Sequence, residues 1–189
     1  MPALRWADIF DANGGISLLN DSKYGHDAKG NVLRISLLRS PKWPDANADM
    51  GHHEFTYSIY PHAGTWREAG TVRRGYELNT PLLTFATQAH TGALPPEHSF
   101  VSIQPENVIV TAIKKAEDDD GLIIRFYEFA GKETQVSLRL PFGATVAMET
   151  NLMEKEEVAL VVNNVRHIQI STRPYEIKTV KVLFAPPEK

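Results

Sequence analysis

Cysteine is absent from the 189 residues of this chain, which excludes disulfide bonds, thiolate metal sites and thiol nucleophiles together. Long apolar runs are absent as well, since none approaches the roughly 20 residues that a membrane-spanning helix needs. The opening residues, MPALRWADIF, lack the basic start, apolar core and small-residue cleavage site of a signal peptide. Because a cysteine-free chain is compatible with a reducing compartment, we expect a cytoplasmic protein.

An excess of charge of one sign is also missing. The chain carries 20 Lys and Arg against 23 Asp and Glu, for a net charge of -3. This balance creates no basic field of the kind that attracts nucleic acid or an anionic membrane. The composition, 42% hydrophobic and 23% charged, is that of an ordinary globular protein. We therefore expect one large or two small folded domains, with no nucleic acid or membrane as partner.

Familiar catalytic motifs are missing too. The sequence contains no Gly-rich phosphate loop, no G-x-S-x-G nucleophile elbow and no convincing Ser/His/Asp arrangement. A strand-like segment begins almost at once, which fits a piece of a larger protein as well as a complete one. We expect no self-sufficient active site within these residues.

Short apolar or β-branched runs bounded by Gly, Pro, Asn and Asp predict strands along most of the chain. Residues 26–31 predict a hairpin connection, because Gly30 tolerates the positive φ of a tight turn. Within residues 54–60, Tyr57 and Ile59 alternate with polar neighbours, the pattern of a half-buried strand. The predicted strands are residues 15–19, 32–38, 54–60, 108–113, 122–129, 135–140, 145–149, 158–162, 167–171 and 177–184.

One segment, residues 65–79, has helical spacing instead. Thr65 can cap it, Glu68 follows three residues later, and Pro81 ends it, although Gly70 weakens the pattern. The fold class predicted from the residues is therefore mainly antiparallel β with one short helix. The later strands are spaced as in a β-sandwich.

Polar residues of chemical interest are concentrated between residues 18 and 60. Gly51-His52-His53-Glu54 suggests a metal site, but adjacent strand residues point to opposite faces, which favours a hydrogen-bonding role. Asp45 and Asp49 fit either a carboxylate pair for acid/base work or simple turn chemistry, and the turn is favoured.

Arg39 closes an apolar run just before a proline, where its guanidinium can meet a ligand or form a structural ion pair. Lys23 and Tyr24 fit a sugar-stacking turn or a packed tyrosine equally well. The acidic run 118–120 suggests a calcium loop, but it lacks the further oxygen ligands at set spacing, so a solvated turn is expected.

Several long segments, in order, resemble the C-terminal region of glycoside hydrolase family 38 α-mannosidases of the bacterial and the cytosolic or vacuolar type. The first is LLNDSKYGHDAKGNVLRISLLRSPKWPDANADMGHHEFTYSIYPHAGTWREA, and the later ones are VIVTAIKKAEDDDGLIIRFYE, METNLMEKEE and RPYEIKTVKV. The resemblance implies a supersandwich-like β-region over residues 1–105 that packs on an absent catalytic domain, and a smaller Ig-like sandwich over residues 106–189. It covers nearly the whole chain.

The resemblance further implies a retaining exo-α-mannosidase that hydrolyses terminal α-mannosides. Its nucleophile and a divalent metal, zinc in most members, would belong to the N-terminal catalytic domain, so no catalytic residue, metal ligand or cofactor is expected here. Arg39 is the position that matches an arginine at the rim of the active site. The remaining candidates for substrate binding, assigned only by their place in the same motif block, are Asp21, Lys23, Tyr24, Asp49, His52 and His53.

Two alternatives remain open at this point. The chain can be a free-standing carbohydrate-binding module that presents Trp43 or Trp66 to a sugar, or a purely structural or oligomerisation domain. The partners expected on the first interpretation are the catalytic domain, an α-mannoside and, in some assemblies, further copies of the chain.

Overall fold

The computed structural model describes residues 1–141, 143–155, 157–164 and 166–185. The chain divides into two compact units, Met1–Thr87 and Gln88–Lys189. No helix within the described residues is long and apolar enough to cross a membrane. The mainly antiparallel β class is confirmed.

The first unit contains a three-stranded antiparallel sheet, a separate two-stranded hairpin and a helix. The sheet has the strand order β1-β2-β5, and β3 and β4 form the hairpin around the predicted turn at Gly30. The elements are β1 (Trp6–Phe10), β2 (Gly15–Asn20), β3 (His26–Lys29), β4 (Val32–Ile35), β5 (Tyr57–His62) and α1 (Thr71–Asn79).

Strand β5 exposes the side chains that its apolar pattern predicts to be buried. Tyr57 and Ile59 are 52% and 63% exposed. The opposite row turns towards α1 and is half-buried: the Tyr60 hydroxyl donates to the Ala69 carbonyl at 3.0 Å, and His62 reaches β1. The expected burial of the apolar row was therefore wrong: Tyr60 and His62 have hydrogen-bond partners before α1 and on β1, whereas Tyr57 and Ile59 are exposed.

The predicted strand over residues 32–38 also ends early. Strand β4 stops at Ile35, which pairs with His26, the first residue of β3. Since β3 begins there, the backbone beyond Ile35 has no strand to pair with. Arg39 consequently lies in the irregular segment 36–56, called here the 36–56 loop, and not at the end of a strand as predicted.

The helix is shorter than predicted, beginning at Thr71 and not at Thr65. The expected reciprocal cap does form: the Thr65 backbone N–H donates to Glu68 Oε2 at 2.8 Å, and the Glu68 N–H donates to Thr65 Oγ1 at 3.5 Å. It caps only a separate turn, because Gly70 has φ +67°, a left-handed conformation that interrupts the helix.

The second unit is a β-sandwich of a five-stranded and a four-stranded sheet, with strand orders β11-β10-β14-β8-β7 and β12-β13-β9-β6. Every pairing in the described residues is antiparallel. The strands are β6 (Ser102–Gln104), β7 (Val108–Lys115), β8 (Leu122–Glu128), β9 (Thr134–Arg139), β10 (Ala144–Thr150), β11 (Val158–Leu160), β12 (Val162–Asn163), β13 (His167–Thr172) and β14 (Ile177–Phe184).

Alternation along the strands builds the core between these two sheets. Val136 pairs with Ile170 across β9 and β13, and Val180 pairs with Ile124 across β14 and β8; all four are buried. Burial of each such side chain contributes about 1.5–3 kcal/mol. Strand β6 pairs with β9 in this unit, so the domain boundary predicted at residue 105 lies inside the second compact unit.

Glu128 ends the inward-facing row of β8, after Ile124 and Phe126, and is fully buried. In place of water, its carboxylate accepts hydrogen bonds from three parts of the chain. Asn107 precedes β7 and donates its amide to Oε1 at 2.8 Å, and the Tyr175 N–H, before β14, donates to Oε2 at 3.0 Å. The following turn supplies the backbone N–H groups of Ala130, Gly131 and Lys132 at 2.7, 2.8 and 3.2 Å.

The ionised form of Glu128 stabilises the second unit. Burial alone raises the pKa of Glu128, but the N–H of Tyr175, the Asn107 amide and the N–H groups of the turn outweigh it and hold the pKa below its ordinary value of 4.5. This stabilisation is present above pH 4.5 and is lost as the pH falls through the lower pKa of the folded state.

We therefore expect Glu128→Gln to lower the free energy of unfolding of the second unit by about 2–3 kcal/mol, because a side-chain amide group then faces backbone N–H donors. Amide hydrogen exchange at Ile124 and Leu138 measures this. As the pH falls, the stability of this variant should also decline less than that of the wild-type protein. Glu133→Gln, at an exposed carboxylate in the next turn, is the matched control and should change stability by less than about 0.5 kcal/mol. Equal effects of the two substitutions would contradict the assignment.

Candidate functional site

The 36–56 loop is closed on itself by one carboxylate. Asp49 Oδ2 accepts the backbone N–H of Ser40 at 2.7 Å, and His53 Nε2 donates to the Asp49 carbonyl at 2.8 Å. Ser40 and Asp49 both have positive φ, 47° and 59°. The structure therefore brings Asp49 and His53 together beside Arg39. The sequence assigned these residues only by their place in the same motif block and gave no indication of the contacts between them.

Arg39 itself is exposed, and within the described residues its guanidinium makes no hydrogen bond or ion pair. The alternative of a structural ion pair is therefore not what the structure shows. By contrast Arg34, on the neighbouring β4, pairs with Asp27 across the hairpin. The donors of Arg39 are available to a ligand or to another domain.

Asp45 has the turn role that the residues favour. Its carboxylate accepts the Asn47 backbone N–H at 2.9 Å, and the Ala48 N–H donates to its carbonyl at 3.3 Å. These bonds are those of an Asx turn. Asp45 thus sets the local backbone geometry, whereas Asp49 links its own segment to Ser40, nine residues earlier in the loop.

Asp21, Lys23 and Tyr24 lie at the end of β2. The Asp21 N–H donates to the Thr56 carbonyl at 3.2 Å, and the Thr56 N–H donates to Asp21 Oδ2 at 2.9 Å. This second donor and the Ser22 hydroxyl hold the pKa of Asp21 below its ordinary value. The Lys23 ammonium lies 4.8 Å from the centre of the Phe55 ring. Tyr24 is exposed, and its carbonyl accepts the Ala3 N–H at 3.0 Å. These contacts fix where the 36–56 loop rejoins the sheet.

The metal sites that the sequence suggests have no set of ligand side chains among the described residues. Among the described residues no three or more His, Asp or Glu side chains form a group able to hold a metal ion. His52 is exposed, while His53 uses Nε2 on a backbone carbonyl. The described part of this chain therefore offers no residue set for the zinc, which the family resemblance assigns to the catalytic domain.

The acidic run 118–120 is neutralised by lysines. Asp118 pairs with Lys155, while Asp119 pairs with Lys181 and Asp120 with Lys115, each at 2.6 Å. Each carboxylate thus has a cation of the same unit as its partner, in keeping with the expected turn.

A buried polar cluster in the first unit escaped the sequence analysis. Asp8 Oδ2 accepts from His62 Nε2 at 2.7 Å and from the Ser17 hydroxyl, and Thr71 Oγ1 lies 2.7 Å from Ser17 Oγ. Since the single Ser17 proton goes to Asp8, Thr71 is the donor to Ser17. The Asp8 and His62 side chains are only 2% and 3% exposed. The cluster therefore joins β1, β2, β5 and α1.

The cluster favours the charged form of His62. Burial lowers the pKa of His62, but the hydrogen bond to Asp8 and the Ala63 carbonyl near Nδ1 outweigh it, so the pKa lies above the ordinary value of 6.5. Gly15 makes room for the ring, because a Cβ there would lie 2.7 Å from His62 Cε1. A polar residue in the otherwise apolar WADIF strand was the available signal for Asp8.

The stability of the first unit should consequently fall as the pH rises. The contribution of His62 is complete below the ordinary pKa of 6.5 and is lost as the pH passes the higher pKa of the folded state. Urea unfolding from about pH 5.5 to about pH 8.5, followed by tryptophan fluorescence, measures it. All three tryptophans, Trp6, Trp43 and Trp66, belong to this unit.

Asp8→Asn should remove this pH dependence and cost about 1–3 kcal/mol, since it leaves a buried imidazole without its charged partner. His53→Gln, at an exposed histidine of the same unit, should keep the wild-type slope. A slope that survives in Asp8→Asn would show that another group titrates.

The fold and site together define a mainly antiparallel β protein of two compact units, the second a β-sandwich and the first carrying an exposed arginine on a closed loop. Residues 1–47 match the glycosyl hydrolases family 38 C-terminal domain, and residues 107–180 match the glycosyl hydrolases family 38 C-terminal beta sandwich domain. The chain therefore belongs to the C-terminal domains of glycosyl hydrolase family 38.

Curated relatives carry α-mannosidase names. The chain is 35% identical over 190 residues to alpha-mannosidase 2C1 of Homo sapiens, covering 98% of the chain and 18% of that protein. It is 37% identical to alpha-mannosidase G of Dictyostelium discoideum and 34% identical to an alpha-mannosidase of Saccharomyces cerevisiae, covering 95% of the chain in both, and 17% and 18% of those proteins. The chain thus spans less than a fifth of the length of these relatives.

A solved structure shows the same fold. The crystal structure of an alpha-mannosidase from Enterococcus faecalis V583 superposes with a TM-score of 0.75 at 22% identity, covering 96% of this chain and 21% of that one. The antiparallel β-fold of the chain is therefore shared with a much longer protein.

Proposed function

We propose that this chain is the non-catalytic C-terminal portion of a retaining exo-α-mannosidase, and that Arg39 completes the sugar pocket of the full enzyme. One observation carries the proposal: the Arg39 guanidinium is exposed and unpaired within the described residues, on a loop closed by Asp49. The names of the relatives supply the substrate class, α-mannosides, and we propose that terminal α-mannosides are hydrolysed.

An apolar surface of the first unit supports packing on a further domain. Ile16 and Ile59, on the face of the sheet opposite α1, are 44% and 63% exposed, and Leu82, Leu83 and Phe85 are exposed in the segment that follows the helix. Exposed apolar groups in this number favour burial against a partner. A catalytic domain in the same chain is the partner that this proposal requires.

The chemistry proposed for Arg39 is recognition. A guanidinium offers five N–H donors in a fixed plane and no acceptor, which suits sugar hydroxyls. Hydrogen bonds to hydroxyls that strengthen as the sugar ring distorts lower the barrier to an oxocarbenium-like transition state. The nucleophile, the acid/base residue and the zinc would belong to the catalytic domain. The cytoplasmic location of the full enzyme and any oligomer that it forms remain predictions.

The purified 189-residue chain should hydrolyse no aryl α-mannoside, with or without added zinc. Its described residues present no donor group for the metal. Hydrolysis assays and calorimetric titration with mannose and mannobiose test this together. Metal-dependent turnover would contradict the proposal. Saturable binding lost in Trp43→Ala would favour the carbohydrate-binding module instead, since Trp43 is 83% exposed. The structural-domain alternative predicts neither turnover nor binding, nor any kinetic effect of changing Arg39.

In the full-length enzyme, Arg39→Ala should lower kcat/KM for an α-mannoside by about 10- to 100-fold, the loss of a hydrogen bond from a charged donor. Steady-state kinetics measure this, and an unchanged melting temperature shows that the fold is intact. Arg34→Ala removes another exposed arginine, one that pairs with Asp27 on the hairpin, and should leave kcat/KM unchanged. If Arg39→Ala behaves like Arg34→Ala, Arg39 does not contribute to the pocket.

A further inference from the structure

The peptide unit that follows Arg39 is held by a specific hydrogen bond. The Arg39 carbonyl and the Ser40 N–H belong to one rigid peptide plane. Asp49 Oδ2 accepts that N–H at 2.7 Å. Because the plane cannot twist internally, the carboxylate restrains the backbone on the C-terminal side of Arg39 as well as that of Ser40.

Asp49 is itself held by a residue that lies nearer to β5 along the chain. Its carbonyl accepts from His53 Nε2 at 2.8 Å, and His53 lies shortly before β5. The His53 proton must therefore be on Nε2, since a carbonyl can only accept. The chain of contacts thus runs from the His53 ring to the Asp49 backbone, and from the Asp49 carboxylate to the Ser40 N–H.

The backbone geometry on both sides of this bond limits which residues suit it. Ser40 and Asp49 have φ values of 47° and 59°, a region that Asn, Asp and Gly enter most readily among the residues. An aspartate at position 49 meets both requirements, a left-handed backbone and an acceptor that reaches the Ser40 N–H. This double requirement separates Asp49 from Asp45, which makes only a local turn.

We propose that Asp49 is a positioning residue for Arg39: through the Ser40 N–H it fixes the direction from which the guanidinium enters the sugar pocket. This inference rests on the proposed function of Arg39. Asp49 need not touch the substrate. Its removal costs transition-state binding because a mobile arginine has to be ordered again in each catalytic cycle.

The test compares two substitutions of Asp49 in the full-length enzyme. Asp49→Gly accommodates the positive φ but removes the acceptor, and should lower kcat/KM for an aryl α-mannoside by about tenfold. Asp49→Asn keeps both the backbone geometry and a side-chain oxygen, and should retain most of the activity. Hydrogen exchange of the Ser40 amide should be faster in Asp49→Gly than in Asp49→Asn.

A double-mutant cycle separates positioning from direct contact. If Asp49 acts only through Arg39, Arg39→Ala with Asp49→Gly should be no slower than Arg39→Ala alone. Asp45→Gly, in the same loop, removes a carboxylate that holds only the Asn47 N–H and should leave kcat/KM unchanged. Matched melting temperatures in all variants exclude a general loss of folding.

The outcomes distinguish the two proposals. If Arg39→Ala lowers kcat/KM and Asp49→Gly does not, the positioning role is overturned while the proposed function stands. Fully additive losses in the double variant also overturn it, since they would mean that Asp49 acts independently. If Arg39→Ala has no effect, the pocket role of Arg39 fails, and the positioning role fails with it.

Discussion

A carboxylate that is removed from water needs hydrogen-bond donors, and each compact unit of this chain has a buried carboxylate that accepts hydrogen bonds from several elements. In the second unit, Glu128 gathers the ends of β7, β8 and β14 by accepting their backbone and amide N–H groups. In the first, Asp8 links its own strand to β2 and β5, and through Ser17 to the helix. Glu128 accepts from neutral donors, whereas Asp8 favours the charged form of His62, so the stability of the two units depends on pH in opposite directions.

The candidate site follows a different rule, because its carboxylate is exposed. Asp49 gains little stability from a hydrogen bond that water can replace. What the bond does is restrict a 36–56 loop that has no strand or helix to hold it. On the proposed function, activity and stability depend on different side chains: changes at Glu128 or Asp8 act on folding, whereas changes at Arg39 or Asp49 act on an exposed surface.

The sequence predicted the second unit better than the first, for a physical reason. Sandwich strands such as β9 and β13 alternate strictly, with Val136 and Ile170 pointing to one core, so local pattern and burial agree. In β5 they disagree, because Tyr57 and Ile59 face away from the helix and His62 is buried by its bond to Asp8. A partner 54 residues distant along the chain leaves no trace in local periodicity. The same limit applies to the site. The sequence shows where Arg39 stands, but it does not show that Asp49 is linked to it through a backbone N–H.

A guanidinium determines what this part of the site can contribute. It donates hydrogen bonds but has no acceptor, so it neither takes up a proton nor attacks a carbon. Arg39 can therefore lower a barrier only where a nucleophile and an acid act on the same sugar. Its value then depends on direction, since a donor that points correctly before the substrate arrives loses less entropy than one that must be ordered on binding. That requirement explains why an exposed loop would carry Asp49, whose carboxylate accepts the N–H of the peptide unit that follows Arg39.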